Sequence, residues 1–308
     1  MRIILLFVAA VLARVLSAKA GLPAEEVALT QLATITGGTF WYGSQLTIGD
    51  KLIPNGAKDG SNPRVKKTVH SFQIDMHAVT NLQFSAFVNA TKFVSEAEKF
   101  KWSFVLEQLA SQKVIKQVDS KKGYGRVKDS THWMAVPKAS WAKPYGRDSP
   151  NMLTPENRDL PVVHVSYNDA VSYCKWANRR LPTELEWEYA ARGGRSKQNY
   201  PWGDELKPLR MNIWEGNFPT QNTLQDGYLG PAPVKTYTPN AYGLYNMVSL
   251  CYIWGSCFIH ISHFRKTHLY VSLLMTEHMQ ITAFDSHYFL TYISIGGECV
   301  GVGKWGYS

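Results

Sequence analysis

Thiol and imidazole side chains follow one another at short spacing near the end of the sequence, at Cys251, Cys257, His260, His263 and His268. Cysteine and histidine are ligands of zinc and other soft metals, so this group suggests a metal site. The spacings match no standard zinc pattern, and aromatic residues flank the group without turn signals. We therefore favour a histidine-rich segment without a metal site.

Oxygen ligands and acid–base groups lie in the middle of the chain. Asn212 and Asp226 are fourteen residues apart in a turn-rich segment, and their amide and carboxylate oxygens suit Ca²⁺, although the spacing alone is a weak signal. Glu184, with acidic neighbours two and four residues on, fits first-turn capping better than catalysis. His164, in an apolar run, fits a core histidine better than a general base. We predict no catalytic residue.

The helices that must position these groups are short and begin at caps. Thr80, Ser95 and Thr183 are each followed three residues later by Gln or Glu, which predicts capping boxes, and Ser166 predicts a further helix start. Apolar spacing from Ala97 to Val105 predicts that the second helix continues through that range.

Strands and one long loop complete the expected framework. Gly37 to Gly43 and Phe72 to Met76 predict short strands, and Pro161 to Val165 predicts a buried one. From Asn199 to Asn246 the chain is rich in Pro, Gly and Asn with interspersed aromatics. Such a segment inside a compact domain predicts a functional or ion-stabilised loop system.

Composition divides the chain into two parts. The 308 residues carry 33 Lys and Arg against 24 Asp and Glu, a surplus spread thinly apart from short clusters such as Arg64 to Lys67, which does not favour nucleic-acid binding. All 15 prolines lie at or before Pro239, whereas Ser249 to Ser308 holds three of the four cysteines. The two parts have different statistics.

The amino terminus predicts the secretory pathway. Met1 to Ala20 has a basic start, an apolar run and a small-residue cleavage signal, which is typical of a signal peptide. We expect no membrane span, because no later run has the roughly 18 apolar residues of a spanning helix. In that compartment Asn89, in Asn89-Ala90-Thr91, is a predicted N-glycosylation acceptor.

Several long motifs resemble the formylglycine-generating enzyme family, also called sulfatase-modifying factors. They run from Pro161 to Ala170, from Arg180 to Gly194, from Tyr200 to Gly203 and from Tyr242 to Val248. The resemblance implies the family's α+β fold, which is related to C-type lectins and low in regular secondary structure. Here that fold would be incomplete at its C-terminus.

The resemblance also implies ligands for one calcium ion. The Asn212 and Asp226 side chains and the carbonyl groups of Ile213 and Tyr228 match the family's first calcium site. Active members use a copper-binding cysteine pair and oxygen to oxidise a sulfatase cysteine to formylglycine. After Val248 the family pattern stops, so that cysteine pair is absent and copper is not expected.

Two positions bear on which branch of the family the chain resembles. Cys174 matches a family disulfide cysteine whose partner segment is missing here. Ala191 stands where active members have cysteine and the inactive paralogue, sulfatase-modifying factor 2, has alanine, which favours the inactive paralogue. The Asn89 acceptor matches the active enzyme.

These observations predict a signal peptide (1–20), a truncated sulfatase-modifying factor domain (24–248) and a divergent tail (249–308) from an alternative isoform or a gene-model error. The resemblance implies a pseudoenzyme of the endoplasmic-reticulum lumen that modulates formylglycine formation. It would bind sulfatases or the active enzyme, as a homodimer or heterodimer. The alternatives are an active oxidase recorded as a truncated isoform and a chain that does not fold stably.

Overall fold

The computed structural model describes residues 31–43, 64–122, 125–128, 130–198, 200–205 and 210–248, together with the short strand 258–259. Helices and strands occur together in these ranges, and the longest described helix has 11 residues. The predicted α+β class with little regular structure is confirmed. The predicted signal peptide lies outside the described residues, as does the tail apart from 258–259. No described helix is both long and apolar enough to cross a membrane.

Strands within the described ranges form three antiparallel sheets, in the orders β1-β4-β8, β2-β3 and β5-β7-β6. In chain order they are β1 (Leu32–Ile35), β2 (Gly38–Tyr42), β3 (Val65–Val69), β4 (Phe72–Asp75), β5 (Trp102–Leu106), β6 (Arg126–Val127), β7 (Ser130–Pro137) and β8 (Phe258–Ile259). The predicted strands at Gly37 to Gly43 and Phe72 to Met76 are confirmed by β2 and β4.

Five α-helices are described: α1 (Asn81–Thr91), α2 (Glu96–Phe100), α3 (Gln112–Gln117), α4 (Tyr167–Trp176) and α5 (Glu184–Arg192). Capping boxes begin the helices after Thr80, Ser95 and Thr183, as the sequence predicts, and Ser166 begins a helix as predicted, with Asp169 completing a further box. Each hydroxyl accepts the N–H of the third residue of its helix, which would otherwise lack a partner.

Two predicted elements are wrong. The helix predicted through Val105 ends at Phe100, because Lys101 adopts a left-handed backbone conformation (φ 67°) and the chain continues as strand β5. Pro161 to Val165 is not a strand, since only Pro161 makes a bridge, to Thr80. His164 has φ 57°, and this left-handed residue turns the chain out of an extended path.

Helix α5 packs against strands β1 to β4 in the largest apolar cluster. Ile35 and Ile74 from the strands meet Trp187 of α5, and all three are buried. Met247, 4% exposed, belongs to the same cluster. The packed core therefore extends to Met247, next to the end of the described range 210–248.

Two further clusters complete the described core. Phe84 of α1 stacks on Tyr173 of α4 with ring centroids 5.8 Å apart. Val105 of β5, Val114 of α3 and Met134 of β7 form the third cluster. The short helices are thus held by tertiary contacts, since isolated helices of this length are marginal in water.

Asp169 connects two helices through its carboxylate. It is 1% exposed and accepts hydrogen bonds from Ser166 N (2.9 Å) at the start of α4 and from Glu96 N (3.1 Å) at the start of α2. Burial raises the pKa of this carboxyl group above its ordinary value, and the hydrogen bonds oppose that shift. The side chain therefore fixes α2 against α4.

Replacing Asp169 by alanine leaves both of these N–H groups without their acceptor. An unpaired buried polar group costs about 1–3 kcal/mol, and these two N–H groups are partly buried, so we expect Asp169→Ala to lower the free energy of unfolding by roughly 2 kcal/mol in urea titrations. Lys175→Ala, at an exposed position on the same helix, should cost under about 0.5 kcal/mol. Similar losses in the two variants would contradict this role of Asp169.

His164 is the histidine that the sequence places in the core rather than at an acid–base site. Its Nδ1 lies 2.9 Å from Ser103 Oγ of β5, and its ring also bonds the Pro144 backbone. Burial lowers the pKa of the imidazole to about 4 from the ordinary 6.5. The folded protein therefore holds this ring neutral.

This shift predicts a pH dependence of stability. Between pH 6.5 and about pH 4 the unfolded chain binds a proton that the folded protein does not. The contribution is fully present above pH 6.5 and is lost as the pH falls, by up to about 3 kcal/mol. His164→Asn does not titrate here, and asparagine tolerates the left-handed conformation. Urea titrations at pH 7.5 and 4.5 should show a smaller acid loss in the variant, and equal losses would refute the assignment.

Candidate functional site

The segment from Arg210 to Val248 has no helix or strand among its described residues, and side chains hold it in shape. Asn222 Oδ1 accepts hydrogen bonds from Glu215 N (3.2 Å) and Leu224 N (3.1 Å), and Trp214 Nε1 donates to Gln221 O (2.9 Å). The long irregular segment that the sequence predicts is therefore present and ordered by polar contacts.

Asn212 and Asp226, the two side chains predicted to hold calcium, lie on adjoining parts of this loop. Asn212 Nδ2 donates to Gly230 O (2.8 Å), so its amide is fixed beside the chain that follows Tyr228. Asp226 Oδ1 accepts the N–H of Tyr228 (3.0 Å). The structure thus links the Asn212 side of the loop to the Asp226 side.

A second carboxylate lies beside Asp226, and the sequence interpretation missed it. Glu215 Oε2 accepts hydrogen bonds from Gln225 N (2.6 Å) and Asp226 N (3.3 Å). Burial raises the pKa of the Tyr237 phenol, and the nearby negative charge of Asp226 adds to that shift. Glu215 could have been predicted as part of this loop site, because it lies three residues after Asn212 in the same short motif. The loop therefore has a negative interior.

The oxygen atoms predicted to bind calcium lie in this loop, and calcium binding stays a prediction. Asp226 is 8% exposed, and none of the ion pairs among the described residues includes it. Among those residues the carbonyl oxygens of Ile213 and Tyr228 accept no hydrogen bond. Nor do the described residues contain a cluster of three His, Cys, Asp or Glu side chains. Amide, carboxylate and main-chain oxygens together suit Ca²⁺ rather than zinc, and a buried carboxylate without a basic partner favours a bound cation.

The far end of the loop is fastened to helix α5. Asn240 Nδ2 donates to Ala190 O (2.8 Å) and Ala191 O (3.2 Å), while its Oδ1 accepts the N–H groups of Tyr242 and Leu244. Ala191 is 4% exposed, so its methyl group is part of the core. Ala191, which the resemblance relates to the inactive paralogue, therefore lies beneath this loop.

The acidic residues of α5 have structural partners, as the sequence predicts. Glu184 accepts a hydrogen bond from the Tyr42 hydroxyl. Glu186 caps Thr183 and pairs with Arg180. Glu188 forms a buried ion pair with Arg192 and also accepts Gly43 N (2.9 Å), so α5 is joined to the end of β2.

Two other predicted positions lie on helices. Cys174 on α4 is 1% exposed and disulfide-bonded, and the remaining three cysteines of the chain lie outside the described residues. Asn89 is exposed near the end of α1, so its side chain is accessible for glycosylation. Its modification stays a prediction. The predicted thiol and imidazole group at Cys251 to His268 also lies outside the described residues.

Comparison with known proteins gives a consistent family. Residues 19–263 match the family profile described as "Sulfatase-modifying factor enzyme 1-like domain". Formylglycine-generating enzyme of Mus musculus is 41% identical over 242 residues, covering 78% of this chain and 61% of that protein. The enzyme from Thermomonospora curvata is 43% identical, covering 75% of this chain and 72% of that protein.

Relatives described as inactive have about the same sequence identity to this chain. Inactive C-alpha-formylglycine-generating enzyme 2 of Mus musculus is 42% identical, covering 75% of this chain and 69% of that protein. Among solved structures, PvdO from Pseudomonas aeruginosa has a TM-score of 0.43 and 22% identity, with coverage of 70% of this chain and 66% of that one. The chain spans about three fifths of the mouse and bovine formylglycine-generating enzymes, at 61% and 59% of their lengths.

The matched profile covers most of the chain, and a bacterial relative at 43% identity is matched over more than two thirds of its length. The chain therefore belongs to the sulfatase-modifying factor family, the family of formylglycine-generating enzymes and their inactive paralogues.

Proposed function

We propose that this protein is a calcium-stabilised, non-catalytic sulfatase-modifying factor of the endoplasmic-reticulum lumen. It binds sulfatase polypeptides or the active formylglycine-generating enzyme and so modulates formylglycine formation. The proposal is carried by a packed core that reaches Met247, together with our interpretation that the sequence after Val248 does not resemble the family's two-cysteine block. A folded domain without that block supports binding rather than oxidation.

Ala191 supports the same proposal. The resemblance implies cysteine at this position in active members and alanine in the inactive paralogue, and the Ala191 methyl group here is buried. Asn240 holds the loop on α5 through hydrogen bonds to two main-chain carbonyl groups. The loop surface therefore keeps its place on α5 without a cysteine side chain. Presentation of a sulfatase-binding surface is the function that such a scaffold supports.

A second candidate is an active oxidase of which this chain is a truncated or alternative isoform. The chain is 41% identical to the mouse active enzyme and 42% identical to its inactive paralogue, so overall identity does not separate them. The exposed Asn89 acceptor favours the active branch. Sequencing the transcript past Val248 separates the candidates, because recovery of the family's two-cysteine block would favour the oxidase.

The calcium part of the proposal has a direct test in thermal unfolding. Ca²⁺ that binds only the folded protein should stabilise it by about 2.7 kcal/mol at a hundredfold excess over Kd, which raises Tm. Asp226→Asn removes the buried anionic ligand and should abolish most of that rise. Asp159→Asn makes the same change at an exposed position and should keep it.

Calorimetric scans of the full chain in EDTA and in millimolar CaCl₂ measure both effects. Mg²⁺ should raise Tm less, because it requires a smaller octahedral site. An equal calcium response in wild type and Asp226→Asn would contradict the assignment of the loop.

The catalytic part is tested on a Cys-x-Pro-x-Arg peptide followed by mass spectrometry. We expect the purified chain with copper and oxygen to produce no formylglycine above a copper-only control. Added in excess to an active formylglycine-generating enzyme, it should change the conversion rate at least about twofold by competing for peptide or enzyme. The Ala-x-Pro-x-Arg peptide controls for chemistry at other residues.

Either of two results would overturn the proposal. Time-dependent conversion by the chain alone, above the copper-only control, would make it an oxidase. Failure to bind the peptide or the active enzyme, in a sample with a cooperative unfolding transition, would exclude the modulator role.

A further inference from the structure

The ribbon formed by β2 and β3 carries a tryptophan between two lysines on its solvent side. Lys66 Nζ lies 5.3 Å from the centroid of the Trp41 ring, and Lys197 Nζ lies 4.8 Å from it. The two ammonium groups are therefore at most about 10 Å apart. Neither lysine belongs to the calcium loop or to the caps described above, so the function proposed so far leaves them unexplained.

Strand register determines which side chains share this face. Trp41 is opposite Lys66, and the next pair on the same face is Thr39 with Thr68, because side chains alternate along a strand. The two threonine hydroxyl oxygens are 3.0 Å apart and exposed. We call this set, with Lys197, the Trp41 face.

Lys197 reaches the Trp41 face from the turn after α5. Its backbone is left-handed, with φ 61°, a conformation that is uncommon for residues other than glycine. Lys197 is exposed, yet its ammonium group lies over the ring rather than extended into solvent. The backbone conformation of Lys197 and the packing of its turn thus place a second ammonium group beside the Trp41 ring, although the Lys66 ammonium group there repels it.

Among the described residues, Glu184 and Glu188 contact the ribbon from its core side, and Asp204 acts electrostatically on Arg64 just before β3. Phe40 and Tyr42 point to the core side, where Tyr42 bonds Glu184, and Glu188 is paired with Arg192. Over the described ranges, no ion pair includes Lys66 or Lys197. Within those ranges the ammonium groups of Lys66 and Lys197 are therefore two positive charges on the solvent side of the ribbon that no carboxylate pairs.

We propose that the Trp41 face binds a sulfated glycan chain. Two ammonium groups within about 10 Å can each contact a sulfate group on one oligosaccharide, and clustered basic side chains are the usual feature of heparin-binding patches. The threonine hydroxyls between the charges suit sugar hydroxyl groups. The Trp41 ring already carries both ammonium groups, which leaves little room for the base stacking that single-stranded nucleic acids use.

The test measures binding of the full chain to a fluorescent heparin oligosaccharide over a range of NaCl concentrations. Lys66→Ala/Lys197→Ala should raise Kd about tenfold or more, because two charge contacts are lost, and should weaken the salt dependence. Lys113→Ala/Lys116→Ala removes the same charge from exposed positions on α3 and should change Kd less than about twofold. Equal losses in the two variants would overturn the proposal.

Ligand class and variant folding are checked separately. A desulfated oligosaccharide, a poly-glutamate peptide and a single-stranded oligonucleotide should each bind at least about tenfold more weakly than heparin; comparable binding of any of them would refute a sulfated-glycan site. In the wild-type protein, heparin should protect Lys66 and Lys197 from acetylation by an N-hydroxysuccinimide ester, as read by mass spectrometry, while Lys113 and Lys116 react unchanged. Absence of that protection would overturn the proposal even if the variants misfold.

Discussion

Asp169 accepts backbone hydrogen bonds from two helices at once, and the same kind of contact recurs wherever the chain lacks regular structure. Asn240 donates to two carbonyl groups of α5 and accepts from two N–H groups of its own turn. Asp226 and Asn222 do this inside the loop. A buried polar group left unpaired costs about 1–3 kcal/mol. A domain with such short helices and strands therefore depends on side chains that bond main-chain groups.

That dependence explains why the loop from Arg210 to Val248 can be both irregular and fixed. One end is held by the carboxylates of Glu215 and Asp226, and the other is held on α5 by Asn240. No ion pair in the described part of the chain includes Glu215 or Asp226, and a calcium ion would neutralise their negative charge. The proposed modulator function needs only this stable presentation of the loop. The Trp41 face lies on different elements, so the sulfated-glycan proposal can be refuted without affecting the proposed modulator function.

Local sequence signals predicted the helix starts well. A hydroxyl residue followed by Gln or Glu three positions later forms its bonds within one turn, so the signal at Thr80, Ser95 and Thr183 needs no distant partner. The helix predicted through Val105 and the strand at Pro161 to Val165 were wrong, because left-handed residues at Lys101 and His164 redirect the chain. Apolar periodicity does not report such turns.

The sequence alone determined the family, the α+β class, the helix caps and the residues expected to hold calcium, because each of these depends on neighbouring residues or on long motifs. Only the tertiary structure decided what joins them. It brought Glu96 to Asp169, Asn240 to α5 and Lys197 to Trp41. These pairs are far apart in the chain, and their contacts follow from how the elements pack, which spacing along one chain does not encode.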